Sequence, residues 1–536
     1  MIDTILLSGV YSEAFSYRQD IPLRYKGKEV DPTKLYIRKD YDSPEAHTLF
    51  PANINDEHRG YAETDCCTSI TLMSMLKRNG LSFKWNNLAL FASEEGKNTL
   101  ASTLEEDSPF VSLSTTFIID ERELDNVIGF IRSHAPHKKI ILGGPLVEIN
   151  PEYTAKADYA VIGEGEHTYP ALLRALLDGK PIDDIQGIAY RKEDNSVAVT
   201  EPAPYMDLDS YPPPDWNLVI YNEEKKVYYE ASRSCPFRCK FCTYHLRGKF
   251  RFKSAKKIFS DWKYFVEECN IRHISIFDSV FSAPKERLKE LCELIIREKL
   301  PITWDCWVRA TDVQDKEITD LMAKAGCKMA AFGIESAHGQ ILQNINKQVT
   351  TQQIETAINN ITSSRISLLT HFIVGFPGET PETVRFTTDF IINSKIPLYN
   401  SQTFRVREKK MPILNLEERE KHGIKLGHEC QSMPAGYQDE YGIYWETNNM
   451  TLSEALDLHR EMMKEVSFKG RALCVNIVDI GKIRDLLPVL NGRFIYMALK
   501  MFEKISVLSF DLDVHEDEVD KMWDEFLTHY AIYAEA

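Results

Sequence analysis

Short apolar runs that end in glycine or polar residues alternate with amphipathic stretches in the first third of this 536-residue chain. In an α/β fold such runs are buried parallel strands, and the amphipathic stretches are the helices that cover the sheet. The spacing predicts a doubly wound, Rossmann-like parallel sheet, whose ligand lies at the carboxyl ends of the strands. The predicted strands span residues 5–8, 111–114, 139–142 and 159–162.

The same alternation resumes at residue 227 and repeats six times. Repeated strand–helix units predict an α/β barrel, and the chemistry of barrels gathers at the carboxyl ends of their strands. Past about residue 410 the pattern gives way to helical stretches and an acidic amphipathic tail, which predict a mostly helical C-terminal region. The predicted barrel strands span residues 227–233, 274–277, 302–307, 328–332, 368–374 and 399–406.

Three cysteines follow the first of these strands, at positions i, i+4 and i+7: Cys235, Cys239 and Cys242. Thiolates at this spacing on a loop can converge on one soft metal centre. A closed structural zinc site needs four ligands, and no fourth cysteine or histidine pair is near in the sequence. Three thiolates instead leave one iron of a 4Fe-4S cluster without a protein ligand, where a small chelating molecule can bind. A zinc knuckle or unrelated core cysteines are the alternatives.

This C-x-x-x-C-x-x-C run, with Phe241 just before its third cysteine, resembles the signature of radical S-adenosylmethionine (SAM) enzymes. The resemblance implies a 4Fe-4S cluster held by Cys235, Cys239 and Cys242. It also implies that the amine and carboxylate of SAM chelate the open iron, and that Phe241 packs near the adenine. The barrel is then the partial (β/α)6 barrel of that family.

Polar residues at the other barrel strand ends acquire candidate roles from the same resemblance. It implies that Arg309 and Glu335 contact the ribose or amino-acid end of SAM, and that Asp278 and Ser279 lie near its amine. Gly375 begins a Gly-Phe-Pro-Gly-Glu-Thr run that matches the fifth strand of the family, where backbone approaches the adenine. The alternatives are a helix N-cap for Asp278 or Glu335, and an ion pair with nearby acids for Arg309.

The strand ends of the N-terminal sheet resemble, in order and spacing, the cobalamin-binding domain that precedes the barrel in one branch of radical SAM enzymes. A Rossmann-like sheet that has lost its ligand is the alternative. The segment 208–216, with three consecutive prolines, resembles the linker between the two domains of that branch. The resemblance implies that cobalamin contacts Ser114, Thr115, Thr116, Phe117, Gly143, Gly144, Gly163, Glu164, Gly165 and Glu166.

Another cobalamin pattern, Asp-x-His-x-x-Gly, supplies a histidine to the lower face of cobalt. Residues 56–60 include Asp56, His58 and Gly60, but the run is one residue short and lies far ahead of Ser114. We therefore expect His58 to be a solvated loop residue and cobalt to have no protein histidine ligand. Residues 115–117 are the candidates for facing its lower side.

Composition limits the partners and the compartment. The net charge of −16 argues against a nucleic-acid substrate, because a phosphate-binding face needs a basic surplus. Eleven cysteines are too sparse for a disulfide scaffold and favour a reducing cytoplasm. No apolar run reaches the length of a membrane span. We expect a cobalamin-binding domain at 1–205, a linker at 206–226, the barrel at 227–410, and a substrate-covering region at 411–536 that includes an aromatic, acidic patch at 436–446.

The resemblance implies a cobalamin-dependent methyltransferase that methylates an unactivated carbon through a 5′-deoxyadenosyl radical and methylcobalamin. Family members that perform cyclisation, ring contraction or P-methylation are the first alternative, and an iron–sulfur electron carrier without radical chemistry is the second. The expected partners are a small-molecule or peptide substrate and a flavodoxin- or ferredoxin-like electron donor. Fold and cofactors do not name the substrate.

Overall fold

The computed structural model of the chain describes residues 2–8, 24–26, 28–30, 35–37, 47–48, 66–118, 120–218, 226–406, 410–434, 442–475, 492–508, 516–529 and 531–533. Two sequence predictions lie outside these residues: the one for His58, and the 436–441 part of the aromatic, acidic patch.

A seven-stranded sheet forms the N-terminal part, and its five strands from the Phe83 edge inward are parallel. The two strands at the other edge each pair antiparallel with the strand before them. The sheet is therefore doubly wound as predicted but not wholly parallel. The sequence prediction missed these two strands and the one at the opposite edge. In order across the sheet the strands are Val197–Val199, Ile188–Arg191, Tyr159–Val161, Lys139–Gly143, Phe110–Ser114, Thr4–Ser8 and Phe83–Asn87.

Alternate residues of these strands enter two different cores, because successive side chains of a strand point to opposite faces. Leu7, Leu113 and Leu142 pack on one face beneath helices Glu94–Leu104 and Glu121–His134. On the other face, Leu6 and Ile141 belong to a core that continues into the barrel. The two halves of the protein therefore share apolar packing.

A second seven-stranded sheet is parallel throughout and forms the barrel. Six strands were predicted, and the seventh pairs with Leu398 and Tyr399 from within the C-terminal region. The predicted strand 227–233 is two elements, because Glu230 and Ala231 interrupt it before the short strand Ser232–Arg233. The barrel strands are Lys226–Tyr229, His273–Ile276, Thr303–Trp307, Cys327–Glu335, Ser367–Val374, Leu398–Thr403 and Leu473–Cys474.

Helices cover both sheets and begin at sequence-encoded caps. Thr380, for example, accepts a hydrogen bond from the Thr383 backbone N–H, and Pro381 occupies the first helical position. The N-terminal helices are Cys66–Arg78, Glu94–Leu104, Glu121–His134, Pro145–Ile149 and Gly165–Leu177. The barrel helices are Ala255–Glu268, Lys285–Arg297, Lys316–Lys324, Gly339–Ile345, Thr351–Ser363 and Pro381–Asn393. The C-terminal helices are Leu416–His422, Leu452–Lys469, Gly492–Leu508 and Glu516–His529.

The proline-rich segment before the barrel packs against the first N-terminal helix. The Asp215 backbone N–H donates to Ser74 Oγ at 2.8 Å, and Lys77 Nζ lies 2.9 Å from Asp215 Oδ2. Trp216 is buried in the shared core. Short sheets elsewhere include one in which Ala531–Tyr533 pairs with Leu35–Ile37. No helix in the described part of the chain has both the length and the apolar character that crossing a bilayer requires.

Candidate functional site

A cavity of about 410 Å³ lies where the strand ends of the N-terminal sheet face the start of the barrel. Ser114 Oγ and Thr116 Oγ1 are 3.0 Å apart at its edge. Of the ten residues predicted for cobalamin, nine line this cavity, which the sequence alone could not establish. They are Ser114, Thr116, Phe117, Gly143, Gly144, Gly163, Glu164, Gly165 and Glu166.

Thr115, the tenth residue, is fully buried behind the cavity wall. Its hydroxyl donates to the Gly143 carbonyl at 3.0 Å, and its backbone N–H donates to the same oxygen at 2.6 Å. Gly144 follows with φ = 109°, and a Cβ there would lie 3.1 Å from Thr115 Oγ1. A Cβ on Gly163, by contrast, would meet no atom within 4 Å. The strand ends are thus tied together and leave bare backbone towards open space, which fits a bulky planar ligand such as a corrinoid.

The three predicted cluster cysteines lie on one loop, residues 234–250, here called the cluster loop. Its two stems, Ser232–Arg233 and Arg251–Phe252, pair as a short antiparallel ribbon. Within the loop, the Cys242 backbone N–H donates to the Cys239 carbonyl at 3.1 Å, and the Lys240 backbone N–H donates to the Ile345 carbonyl at 2.8 Å. The loop is therefore anchored both to itself and to a barrel helix.

The thiols of the cluster loop are close enough to influence one another. Burial raises the pKa of the Cys242 thiol to about 11, and the neighbouring Cys239 and Cys235 add to that effect. The Tyr244 backbone N–H, 3.4 Å from Cys242 Sγ, opposes it. Among the described residues, no three Cys, His, Asp or Glu side chains are placed to share one metal ion. Three cysteine thiolates on one loop are a donor set that an iron–sulfur cluster takes, with each thiolate on a different iron.

Asp278 and Ser279, predicted to lie near the SAM amine, contact the start of the cluster loop and its stem. Asp278 Oδ1 accepts hydrogen bonds from the backbone N–H groups of Ala231 and Ser232 at 2.7 and 3.0 Å. Ser279 Oγ donates to the Ser234 carbonyl at 2.9 Å. Burial raises the pKa of Asp278 to about 6, while Arg287 opposes the shift. These contacts support the loop, and the SAM contact of both residues stays a prediction.

Arg309 reaches from the end of its strand to the cluster loop. Its guanidinium carbon lies 3.6 Å from the centre of the Phe237 ring, and its Nε and Nη2 are buried without a hydrogen-bond partner among the described residues. A buried cation normally has such partners. The side chain could therefore bind an anionic group close to the cysteines, and its predicted contact with the ribose or amino-acid end of SAM stays a prediction.

Glu335 forms a buried ion pair that the sequence did not reveal. Lys347 Nζ donates to Glu335 Oε1 at 2.7 Å and lies 5.7 Å from the centre of the Phe241 ring. Glu335 also has φ = 67°, which is uncommon for a residue other than glycine. The pair places a carboxylate and an aromatic ring, both predicted to contact SAM, around one ammonium group.

Gly375 sits against the C-terminal region. A Cβ on Gly375 would lie 2.6 Å from the Ala455 Cβ, so glycine is needed for packing there. Its backbone N–H donates to Glu379 Oε2 at 2.6 Å, and the Phe376 N–H donates to the same oxygen at 3.3 Å. Burial raises the pKa of Glu379 to about 8. Sequence reasoning missed Glu379, although it is part of the quoted run, and the adenine contact of Gly375 stays a prediction.

His371 and Trp307 form an aromatic pair that sequence reasoning also missed. The ring centres are 4.7 Å apart, and His371 Nε2 is buried without a hydrogen-bond partner among the described residues. Burial lowers the pKa of His371 to about 4, with a further contribution from Lys347. A neutral imidazole beside the Glu335–Lys347 pair is thus available for hydrogen bonding. For Trp307 the available sequence signal was strand alternation, since it lies two residues after Asp305 on the same strand.

Two family models match the chain. One, the radical SAM superfamily, covers residues 229–391, and the other, the B12 binding domain, covers residues 71–173. These matches and the fold confirm the predicted family resemblance. Each match lies within the domain to which the corresponding cofactor was assigned from sequence.

Curated relatives include methyltransferases and cyclases. The chain is 33% identical over 263 residues to an uncharacterized methyltransferase of Pyrococcus horikoshii, covering 47% of this chain and 57% of the relative. It is 30% identical over 246 residues to the anaerobic magnesium-protoporphyrin IX monomethyl ester cyclase of Rubrivivax gelatinosus, covering 43% and 44%. The chain thus spans about half the length of the curated relatives it matches.

A solved structure with the same arrangement is the radical S-adenosylmethionine methyltransferase TsrM of Kitasatospora setae, with cobalamin and a 4Fe-4S cluster bound. The TM-score is 0.60 over 86% of this chain and 95% of that chain, at 15% sequence identity. At this identity the likeness shows the fold, an N-terminal α/β domain joined to a barrel.

Proposed function

The chain is a member of the radical SAM superfamily that also carries a B12-binding domain, and from that premise we propose that it is a cobalamin-dependent methyltransferase acting on an unactivated carbon. One observation carries the proposal. Ser234, which directly precedes the first cluster cysteine, lines the same cavity as Ser114 and Gly144 at the strand ends of the other sheet. A molecule in that cavity can therefore be reached from both cofactor sites.

The bound groups supply the difficult chemistry: the cluster and SAM provide hydrogen-atom abstraction, and the corrinoid provides the methyl group. The protein holds and orients them. Cys235, Cys239 and Cys242 would hold the cluster, and Arg309 would pair its unpartnered guanidinium nitrogens with the SAM carboxylate. Bare backbone at Gly163, and the strand end that Gly144 allows to pack against Thr115, would accept the corrinoid and its tail.

The barrel side of the cavity combines aromatic rings with charged side chains, and the rings would exclude water from the reacting groups. The rings of Tyr228 and Phe277 meet edge to face with centres 4.6 Å apart, and both line the cavity. Phe277 lines the cavity and is 48% exposed, which leaves a large apolar surface uncovered. An apolar substrate surface would gain by covering it. Peptide and small-molecule substrates both remain compatible with this lining.

A second candidate function is cyclisation by the same cofactors. Its support is the similarity to the Rubrivivax gelatinosus cyclase, which is comparable to the similarity to the methyltransferase. Both reactions release deoxyadenosine from SAM, but methyl transfer also releases S-adenosylhomocysteine. The two products therefore separate the two functions.

The partners and compartment follow from the same proposal. Reduction of the cluster requires a low-potential one-electron donor, for which a flavodoxin- or ferredoxin-like protein is the proposed source. All ten cysteines whose side chains the structure describes are free thiols. Free thiols favour a reducing compartment, so we place the protein in the cytoplasm.

The test is anaerobic incubation of the reconstituted protein with cobalamin, SAM and titanium(III) citrate as reductant. We expect both deoxyadenosine and S-adenosylhomocysteine. Deoxyadenosine alone would favour the cyclase-type function. Absence of deoxyadenosine from a protein with a full complement of iron and sulfide would reject radical chemistry and leave an electron carrier.

A further inference from the structure

Each stem of the cluster loop carries an arginine that forms ion pairs with carboxylates of the B12-binding domain. Arg233 and Arg251 are cross-strand partners in the ribbon that closes the loop. Both bind Glu164, which precedes helix Gly165–Leu177: Arg233 Nη1 is 3.0 Å from Glu164 Oε1, and Arg251 Nη2 pairs with the same oxygen. Arg233 additionally forms a bidentate pair with Glu166. These four side chains are here called the clamp.

Every nitrogen of Arg233 is engaged within the protein. Its Nε donates to Glu230 Oε2 at 3.0 Å, Nη1 donates to Glu166 Oε2 at 3.2 Å, and Nη2 pairs with Glu166 Oε1. Arg309 and Arg247 differ, since each has a buried guanidinium nitrogen without a partner among the described residues, as does the Nε of Arg251 within the clamp. Those two arginines can bind a ligand, whereas Arg233 acts as a cross-link.

The clamp is shielded from solvent, which strengthens its ion pairs. The side chains of Arg233, Glu164 and Glu166 are 17%, 16% and 8% exposed. Tyr211 covers them: its ring centre is 5.4 Å from the Arg233 guanidinium carbon, and its hydroxyl is 3.4 Å from Glu164 Oε2. Salt and water therefore screen these contacts much less than they screen surface pairs. Planar bidentate pairing of this kind also restricts angle as well as distance.

The clamp joins the two cofactor sites by short lengths of chain. Arg233 is two residues before Cys235, while Glu164 and Glu166 flank Gly165 in the third strand-end segment of the cavity. We propose that Glu164, Glu166, Arg233 and Arg251 are positioning residues that fix the distance and orientation between the corrinoid and the cluster. This rests on the proposed function, because both cofactors must act on one substrate. Misplacement by about 1 Å can cost roughly 100-fold in rate.

The test measures the relation between the two cofactors directly, by paramagnetic resonance of the intact protein loaded with cob(II)alamin and the reduced cluster. In the native protein, the spin–spin interaction should give one defined splitting or broadening of the cob(II)alamin signal. In Glu166→Gln, and more strongly in Glu164→Gln with Glu166→Gln, it should become weaker and heterogeneous. An interaction identical to that of the native protein would overturn the proposal.

A control for Arg233→Lys makes the same substitution in an ion pair inside one domain, between the partly exposed Arg132 and the buried Asp158. Arg132 Nη2 lies 2.7 Å from Asp158 Oδ2, whose side chain is 6% exposed, remote from the cluster loop in sequence. Arg132→Lys should leave the spin–spin interaction unchanged, and a change equal to that of Glu166→Gln would refute the clamp. Arg233→Lys keeps the charge but loses the bidentate fork, so we expect an intermediate effect. Arg233→Lys also provides the test if the Glu166→Gln protein does not bind both cofactors.

Products give an independent readout. The ratio of S-adenosylhomocysteine to deoxyadenosine should fall about tenfold in Glu166→Gln, since misplacement affects the step that involves both cofactors more than the step at the cluster alone. A native protein that releases no deoxyadenosine refutes the proposed function. A native protein that releases both products, with an unchanged ratio in the variants, refutes the clamp alone.

Discussion

The guanidinium carbon of Arg309 lies 3.6 Å from the centre of the Phe237 ring, two residues after the first cluster cysteine. The contact holds a buried cation beside the cluster loop, and its Nε and Nη2 have no hydrogen-bond partner among the described residues. Cation–π contact of this kind stabilises a desolvated guanidinium without using its hydrogen-bond donors. The pair therefore links the third strand–helix unit of the barrel to the loop of the first.

Replacing Arg309 should weaken SAM binding more than it disturbs the cluster. In Arg309→Leu we expect a rise of about 10- to 100-fold in the Kd for SAM, from the loss of charge-assisted hydrogen bonds worth about 1.5–3 kcal/mol. Calorimetric titration of the reconstituted protein measures it. Arg297→Leu, at a side chain that is 67% exposed, is the control. Unchanged SAM affinity in Arg309→Leu would remove Arg309 from the site.

Cys239→Ala should abolish cluster binding. Cys239 is 8% exposed in the centre of the loop, and two remaining thiolates cannot hold three irons of the cluster. Iron and sulfide analysis and deoxyadenosine release measure the loss. Cys430→Ala removes a half-buried thiol from the C-terminal region and should retain both. Equal iron content in the two variants would contradict the cluster assignment.

Gly144→Ala should impair corrinoid binding. Its φ of 109° and the 3.1 Å approach of a Cβ to Thr115 Oγ1 force the strand end to shift. We expect the free energy of unfolding to fall by about 1–3 kcal/mol. We also expect a weaker affinity for hydroxocobalamin, measured by titration with the absorbance of the corrinoid as the signal. Gly129→Ala adds a Cβ in open space within helix Glu121–His134, and there we expect a gain of about 0.5–1 kcal/mol. Corrinoid affinity should not change in that control.

Two substitutions of Asp278 distinguish its support of the cluster loop from a contact with SAM. Asp278→Asn retains an oxygen that can accept the Ala231 and Ser232 N–H groups, so cluster content should be preserved. Asp278→Ala leaves those two buried donors unpaired, at a cost of about 1–3 kcal/mol each, and should lower cluster content. A large loss of SAM affinity in Asp278→Asn with full iron would instead show a contact between the carboxylate and the SAM amine.

His371 should make the protein less stable in mild acid. Its pKa is about 4 in the folded chain against an ordinary value of 6.5, so below pH 6.5 the unfolded chain binds a proton that the folded chain does not. Stability is therefore unaffected above that pH and falls as the pH drops from 6.5 towards 4. In His371→Phe the decline should be smaller by roughly 1–3 kcal/mol, measured by melting at a series of pH values. Parallel pH profiles of the two proteins would contradict the burial of a neutral imidazole.

Sequence alone determined the two α/β units and predicted the three cluster cysteines and the strand-end residues, because these depend on local periodicity and spacing. Tertiary structure decided which side chains are free to bind. Arg233 and Arg309 both follow barrel strands, yet one is saturated by three carboxylates and the other has unpartnered nitrogens. The environment of His371 and the ion pair of Glu335 with Lys347 likewise depend on contacts between separate elements of the fold. Hydrogen-bond partners and desolvation are set by which segments meet in space, and no pattern along the chain encodes that directly.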